Sequence, residues 1–468
     1  MNAHAPAWLT VPDDVNALRP DEWAADVARS AAGEVSVAGL PAAELAREFG
    51  TPLFVLSEED FRRRARLFRD TFAEAFKRIG AEAEVYYAGK SFLCTEVARW
   101  VESEGLGLDT CSAGEMLVAR RAGFPAARVA LHGNNKSAAE IARALDDGVG
   151  RIVSDSLDEL SLVERIARER GVVAPVMLRL KTGVQAHTHE SIATAHEDQK
   201  FGLSMASDEG RSEAHEAAAR AIASEHLELL GVHAHVGSQI FEPTGFEQSA
   251  ARLIAFLAEI RDEHGVELSE LDLGGGHGIA YTPEDTPRPV AELAEASADV
   301  VARECAAHSL AVPSVSVEPG RAIVGPTTFT LYEAGTVKDV RLESGAGGAV
   351  RRYVAVDGGM SDNPRPVLYG ADYSVTLASR TSAAEPVLSR VVGKHCESGD
   401  IVVRYAYLPG DVAAGDLLAV PATGAYCWAL SSNYNYLPRP AVVAVRGGEA
   451  RLIVRRETED DLLARDIG

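Results

Sequence analysis

The chain has 468 residues, of which 46% are apolar and 25% charged, and its net charge is −23. That length predicts two or three domains with sizeable cores, and that composition excludes a collagenous, low-complexity or largely disordered chain. The charge argues against nucleic acid or an anionic membrane as partner, and no apolar run approaches the roughly 20 residues that span a bilayer.

The first stretch, to Pro52, mixes turn residues with short amphipathic segments. Strands and helices then alternate. Runs rich in Val, Ile, Leu and Tyr predict strands at Glu84–Ala88, Leu106–Asp109, Val129–His132, Arg151–Ser154, Val176–Leu180, Gly231–Val236, Leu271–Leu273 and Val315–Glu318. Segments of helical period lie between them: Cys94–Glu104, Ala113–Ala122, Ala138–Asp146, Leu157–Arg170, Gly210–Ser224 and Phe246–His264. Eight strands separated by helices point to α/β architecture, a (β/α)8 TIM-like barrel, with an open doubly wound sheet as the rival. From about Thr328 the helical period almost vanishes. β-like runs follow at Phe329–Ala334, Arg352–Val356, Pro386–Val392, Leu417–Val420, Ala441–Val445 and Ala450–Val454, which predicts a second, β-rich domain. Ser344–Gly348 reads as a loop or hairpin tip, and Glu457–Asp461 as a solvated acidic segment.

The N-terminus lacks a basic stretch followed by an apolar one, so no signal peptide is predicted. Five cysteines without a CxxC pair disfavour a zinc ribbon, and no metal site is expected. The odd count fits free thiols in a reducing cytoplasm.

In a barrel, functional groups gather at the C-terminal ends of the strands. The predicted ends carry Lys90, Asp109, His132-Gly133-Asn134, Arg179, His233 to Ser238, Gly274-Gly275-Gly276 and Glu318-Pro319-Gly320-Arg321. The glycine turns follow strands seven and eight, the usual phosphate position in such barrels. There, N–H groups without side chains approach phosphate oxygens closely, although glycines also make plain tight turns. Only seven lysines occur, so one at the end of strand one is informative. A lysine facing a phosphate site suggests pyridoxal phosphate. Glu318 would then keep the pyridine nitrogen protonated, and His235 would lie against the ring. His233, two residues earlier, is expected on the other face of its strand and receives no catalytic role. In the β-domain, Cys396 and Glu397 stand side by side in a Gly-bounded turn. Arg365 and Tyr369 stand four apart, with Arg365 suited to a bidentate grip on a carboxylate. Tyr426 lies in loop sequence around a pocket.

These residues resemble a known family. The runs YAGK (87–90), HGNNKS (132–137), HTHE (187–190), KFG (200–202), HVGSQI (235–240), LGGG (273–276), EPGR (318–321), CESGD (396–400) and GAY (424–426) appear in order. Together they are similar to the diaminopimelate decarboxylases of the alanine-racemase-like fold class, from about Thr51 to Pro440. The resemblance implies residues 51–327 as the cofactor-binding barrel and 328–468 as a β-sandwich or β-barrel domain, with residues 1–50 helping to complete it. It implies a homodimer with shared active sites and the conversion of meso-2,6-diaminopimelate to L-lysine and carbon dioxide. Lys90 is then the Schiff-base lysine, His235 the ring-stacking residue and Glu318 the partner of the pyridine nitrogen. Asp109, Ser238, Gly275, Gly276, Gly320, Arg321 and Tyr426 would complete the cofactor site. Arg321, Arg365 and Tyr369 would bind the distal carboxylate of the substrate and Glu397 its distal ammonium. Tyr426 would also touch the substrate, and Cys396 would donate the proton. His277 stands where an aromatic or aliphatic residue is expected.

The nearest alternative is a decarboxylase of ornithine, lysine or arginine on the same fold. Cys-Glu, with Arg365 and Tyr369 for a second carboxylate, favours diaminopimelate. A racemase, a non-catalytic pyridoxal phosphate carrier and an inactive scaffold fit less well. Glu318 argues against the first, the β-domain against the second, and intact Lys90, Glu318 and Cys396 against the third.

Overall fold

A computed structural model describes residues 4–184, 199–206, 211–342 and 350–468. The HTHE run at 187–190 and the predicted tip at 344–348 lie outside the described residues. Contacts divide the chain into two units. One comprises residues 64–278 and 287–320; the other comprises residues 1–63, 279–286 and 321–468.

The first unit is a closed parallel barrel. Its strands are β1 (Ala83–Ala88), β2 (Gly107–Thr110), β3 (Val129–Leu131), β4 (Arg151–Ser154), β5 (Ala174–Lys181), β6 (Leu227–His233), β7 (Glu270–Asp272) and β8 (Ser314–Val317). They pair in chain order, and β8 returns to β1 to close the ring. The expectation of eight barrel strands holds, and the open doubly wound sheet is excluded. Buried positions run almost continuously along these strands, as parallel strands covered on both faces require.

The helices start and stop where local chemistry directs. Ser112, Ser137, Ser156 and Ser212 each cap a helix by accepting a backbone N–H through the side chain. Ser137 and Glu140 form a reciprocal capping box. Gly148 and Gly171 close their helices at φ 75° and 65°, in the left-handed region that other residues avoid. The helix Val290–His308, Ala-rich and bounded by Pro289, was not placed from sequence.

A buried charge cluster ties the barrel strands together from inside. Arg151, the first residue of β4, lies 3.0 Å from Ser316 Oγ, 2.8 Å from Tyr86 OH and 3.3 Å from Glu270 Oε2. Its guanidinium carbon also sits 4.4 Å from the Tyr86 ring centroid. Asp272 accepts from Ser316 Oγ at 2.8 Å and from the Gly274 N–H at 2.8 Å.

The second unit holds a long sheet. Its strands run in the order Ile401–Pro409, Pro386–Val392, Val350–Val356, Thr328–Arg341, Leu53–Ser57, Ala441–Arg446 and Glu449–Val454. Leu53–Ser57 pairs antiparallel with Thr328–Leu331 and parallel with Ala441–Val445. The contacts group residues 51–63, 279–286 and 321–327 with this sheet, where the sequence division is drawn at 51 and 327. The segment LFVLS is buried at every residue, and neither period nor length told it from a barrel strand. Trp23, Val35, Val37 and Leu45 pack with Leu53, Val55, Phe329 and Val443 in one core. Ile401–Pro409 was also missed. The acidic run at 457–461 is not merely solvated. Glu457 pairs with Arg439 at 2.9 Å, and Thr458 caps the helix Glu459–Leu463.

The Arg151 cluster yields a stability prediction. Arg151→Met leaves Asp272 buried without its cation and should cost about 3–5 kcal/mol in urea unfolding. A loss below about 1 kcal/mol would contradict the interior role given to this guanidinium.

Candidate active site

In the barrel unit the strand ends converge as the barrel rule requires. Lys90 lies in a single helical turn, Gly89–Ser91, directly after β1, and its side chain is exposed. Ser91 holds that turn by donating to the Ala88 carbonyl at 2.7 Å. Asp109, in β2, is buried, and Glu318 is buried just past β8. His132 follows β3 and His233 ends β6; both are buried. The Nε2 atoms of His132 and His233 each lie 3.2 Å from Glu318 Oε1, and His132 Nε2 lies 3.4 Å from Asp109 Oδ1. Their rings meet edge-on at 5.2 Å.

The expected outward direction of His233 is therefore corrected. β6 carries a register shift between Leu229 and Gly231 and ends at His233. Residues two apart on a strand share a face, so alternation does not set His233 apart from His235; His233 faces Glu318 at the end of β6, and His235 belongs to the following loop. His235 is half-buried, and its Nδ1 accepts from the Gly275 N–H at 3.2 Å. That bond sets the orientation of the ring and places the proton on Nε2.

The glycines are required by close backbone packing. A Cβ on Gly275 would stand 2.2 Å from the Glu318 carbonyl oxygen, and one on Gly276 2.4 Å from that of Gly237. Gly320 would meet Ala88 and Ser91 at 2.9 Å. Ser238 is half-buried in the loop after β6.

Burial dominates the electrostatics. Burial and the neighbouring Asp272 carboxylate hold Asp109 well above the ordinary carboxylate range. Burial, then Asp109, raises Glu318. Burial pushes His132 and His233 down to about 3, so both rings are neutral at pH 7. His277 stands where an apolar ring was expected and behaves as one. It stacks on Phe246 at 5.2 Å and meets Phe68 edge-on at 5.2 Å, and burial lowers it to about 4.

In the β unit a second cluster forms. Arg365 and Tyr369 bound a one-turn helix; Arg365 is buried and Tyr369 exposed. Among the described residues the polar partner of Arg365 is Tyr373, not Tyr369, and no carboxylate pairs with it. Tyr281 lies under Arg365 at 4.4 Å and accepts from Arg321. The Arg321 guanidinium carbon is 4.8 Å from the ring centroid of Tyr426, which is held at φ 63°. Sequence reasoning missed Tyr281 and Tyr373, which no motif flanks. Cys396 and Glu397 are exposed in a tightly held turn. Asp400 accepts from the Met360 N–H at 2.6 Å and the His395 N–H at 2.8 Å. The His395 ring is fixed by Ser361 at 2.8 Å and Asn435 at 3.0 Å.

Residues 58–325 match the pyridoxal binding domain of the pyridoxal-dependent decarboxylases, and residues 284–424 match their C-terminal sheet domain. The chain is 53% identical to diaminopimelate decarboxylase of Mycobacterium tuberculosis, over 96% of this chain and 98% of that one. It is 42% identical to the Bacillus subtilis enzyme over 93% and 95%. The crystal structure of diaminopimelate decarboxylase from M. jannaschii superposes with a TM-score of 0.85 at 30% identity, covering 95% of this chain and 98% of that one. The chain belongs to the diaminopimelate decarboxylase family. The residues present fit that family's cofactor, pyridoxal phosphate. Glu318 Oε1 is buried without a hydrogen bond among the described residues, and a side-chain-free turn lies beside it.

His277 offers a test of the packing at this turn. Its protonation constant is about 4 folded against 6.5 unfolded, so the unfolded chain binds the extra proton between those values. Stability therefore falls as pH drops from 6.5 toward 4, by about 3 kcal/mol from this one ring. His277→Phe should change stability at pH 7 by less than about 1.5 kcal/mol and make the acid limb shallower. An acid limb as steep as that of the parent would refute the buried neutral imidazole.

Proposed function

We propose that this chain performs pyridoxal phosphate-dependent decarboxylation of meso-2,6-diaminopimelate to L-lysine and carbon dioxide, with Lys90, Glu318, His235 and Cys396 acting at the reacting atoms. The observation that carries the assignment of roles is the buried Glu318 carboxylate at the end of β8, its Oε1 3.2 Å from two neutral imidazole nitrogens but without a hydrogen bond among the described residues. The H. pylori relative, 28% identical with a TM-score of 0.79, was solved in complex with L-lysine, which supports lysine as the product.

Pyridoxal phosphate, when bound, supplies the electron sink into which the bond to the lost carboxylate can break. Lys90 would hold the cofactor through its amine. Glu318 would hold a proton at the ring nitrogen, and His235, oriented by the Gly275 N–H, would lie against the ring. The N–H groups of Gly275, Gly276 and Gly320 offer donors to phosphate, with Ser238 and Arg321. Asp109 lends a further buried carboxyl beside His132. Arg365, a buried planar cation without a carboxylate partner among the described residues, suits the distal carboxylate, together with Arg321 and Tyr369. Leaving that cation unpaired is costly, which disfavours ornithine, lysine or arginine as substrates. Glu397 takes the distal ammonium, Tyr426 lines cofactor and substrate, and Cys396 donates a proton to the carbon that lost its carboxylate.

The exposed Cys396-Glu397 turn supports a homodimer in which each copy supplies this turn to the other's site. The lysine-forming reaction and the free thiols support a cytoplasmic enzyme. No described helix is long and apolar enough to cross a membrane.

Lys90→Ala should abolish turnover, and Cys396→Ala should lower kcat far more than it changes KM. Equal mixtures of the two inactive variants, dissociated and reassociated, should recover about a quarter of the parental activity, because random pairing gives half heterodimers with one intact site each. No recovery in a mixture shown to contain heterodimers would contradict shared sites. Near-normal turnover by Lys90→Ala would overturn the mechanism.

A further inference from the structure

The pair of buried imidazoles on Glu318 has no part in the mechanism above. His132, His233 and Glu318 come from three separate strand ends, and both Nε2 atoms stand 3.2 Å from the same oxygen, Oε1. Each ring is anchored by its backbone. The His132 N–H donates to the Thr110 carbonyl at 2.8 Å, and His233 lies in register with Asp272. The turn after His132 is fastened further. The Lys136 ammonium donates to the Gly133 carbonyl at 2.8 Å and pairs with Glu159 at 2.9 Å.

We propose that His132 and His233 are positioning residues: in the holoenzyme each donates an Nε2–H bond to Oε1 of Glu318, which makes no hydrogen bond among the described residues here, and the pair keeps that carboxylate ionised toward the ring nitrogen. The inference rests on the family reading of Glu318. Burial, then the neighbouring Asp109, pushes this carboxyl toward its protonated form, and a protonated Glu318 cannot hold a proton on the ring nitrogen. Two neutral N–H donors favour the carboxylate without adding a competing positive charge. The groups facing the pair include Asp109, Asp272, Lys90, Arg151 and Arg179; burial, with these cations, keeps both rings neutral. The same three side chains place ligand atoms within 4.8 Å of one another, so a metal ion is the competing occupant.

Two measurements on the holoenzyme decide between these readings. Neutron diffraction of the unaltered protein should show deuterium on Nε2 of both rings and none on Glu318. Deuterium on Nδ1 with a bare Nε2 at either ring, or a metal ion among the three groups, would overturn the proposal. In the second measurement, His132→Phe and His233→Phe are loaded with pyridoxal phosphate labelled with ¹⁵N in the ring. The nitrogen resonance should move toward that of a neutral pyridine. kcat should fall about 10- to 100-fold with KM within about threefold, the scale of losing an orienting hydrogen bond. His132→Gln and His233→Gln, which keep a donor at similar reach, should recover most of both signals. An unchanged resonance in both Phe variants overturns the positioning role. If instead the unaltered protein binds no pyridoxal phosphate, the family reading of the site fails. The neutron experiment needs no variant, so a substitution that prevents folding does not leave the question open.

Discussion

The guanidinium of Arg151 inside the barrel is the charge on which the mouth of the barrel depends. It stands among Ser316, Tyr86 and Glu270, with Asp272 Oδ2 at 3.6 Å. A cation buried this deeply persists only if carboxylates and hydroxyls surround it. Asp272 meets that demand and also takes the Gly274 N–H and the Ser316 hydroxyl. One buried carboxylate thus connects the interior of the barrel to the glycine turn at its mouth. The turn in turn positions His235 through the Gly275 N–H.

The same low-dielectric interior sets the chemistry. Asp109, Asp272 and Glu318 all have their protonation constants raised by burial, and they repel one another. The imidazoles among them are driven to the neutral form by that burial. The result is a site rich in carboxyl groups and poor in titrating histidine near pH 7. Such a site favours a protonated ring nitrogen over a neutral one. The β unit is built on the opposite plan, with two buried arginines against tyrosine rings and an exposed thiol beside a carboxylate.

Much of this was legible in the sequence. The barrel strands carry near-continuous Val, Ile and Leu, and serine and glycine mark several helix ends, so element types and most bounds followed from pattern. Leu53–Ser57 did not. A five-residue buried strand looks the same in a barrel and in a sheet, and only long-range pairing with Thr328–Leu331 and Ala441–Val445 tells them apart. Within the site, motif residues such as Lys90, His235 and Glu318 announced themselves through rare residue types at strand ends. His233 was misdirected because a period of two puts it on the same face as His235, not on the opposite one. Tyr281 and Tyr373 were invisible because each lies in an irregular segment, and their meeting, ring to ring at 5.2 Å, is a product of tertiary packing.

The most direct test of the account is carbon dioxide release by the purified protein with pyridoxal phosphate, supplied in parallel with meso-diaminopimelate, ornithine, lysine and arginine. The roles proposed for Glu318, Arg365 and Glu397 predict release from diaminopimelate alone, with lysine as the product. Release from a basic amino acid instead would preserve the barrel chemistry and overturn the reading of Arg365. Release from none of the four would contradict the decarboxylase mechanism itself.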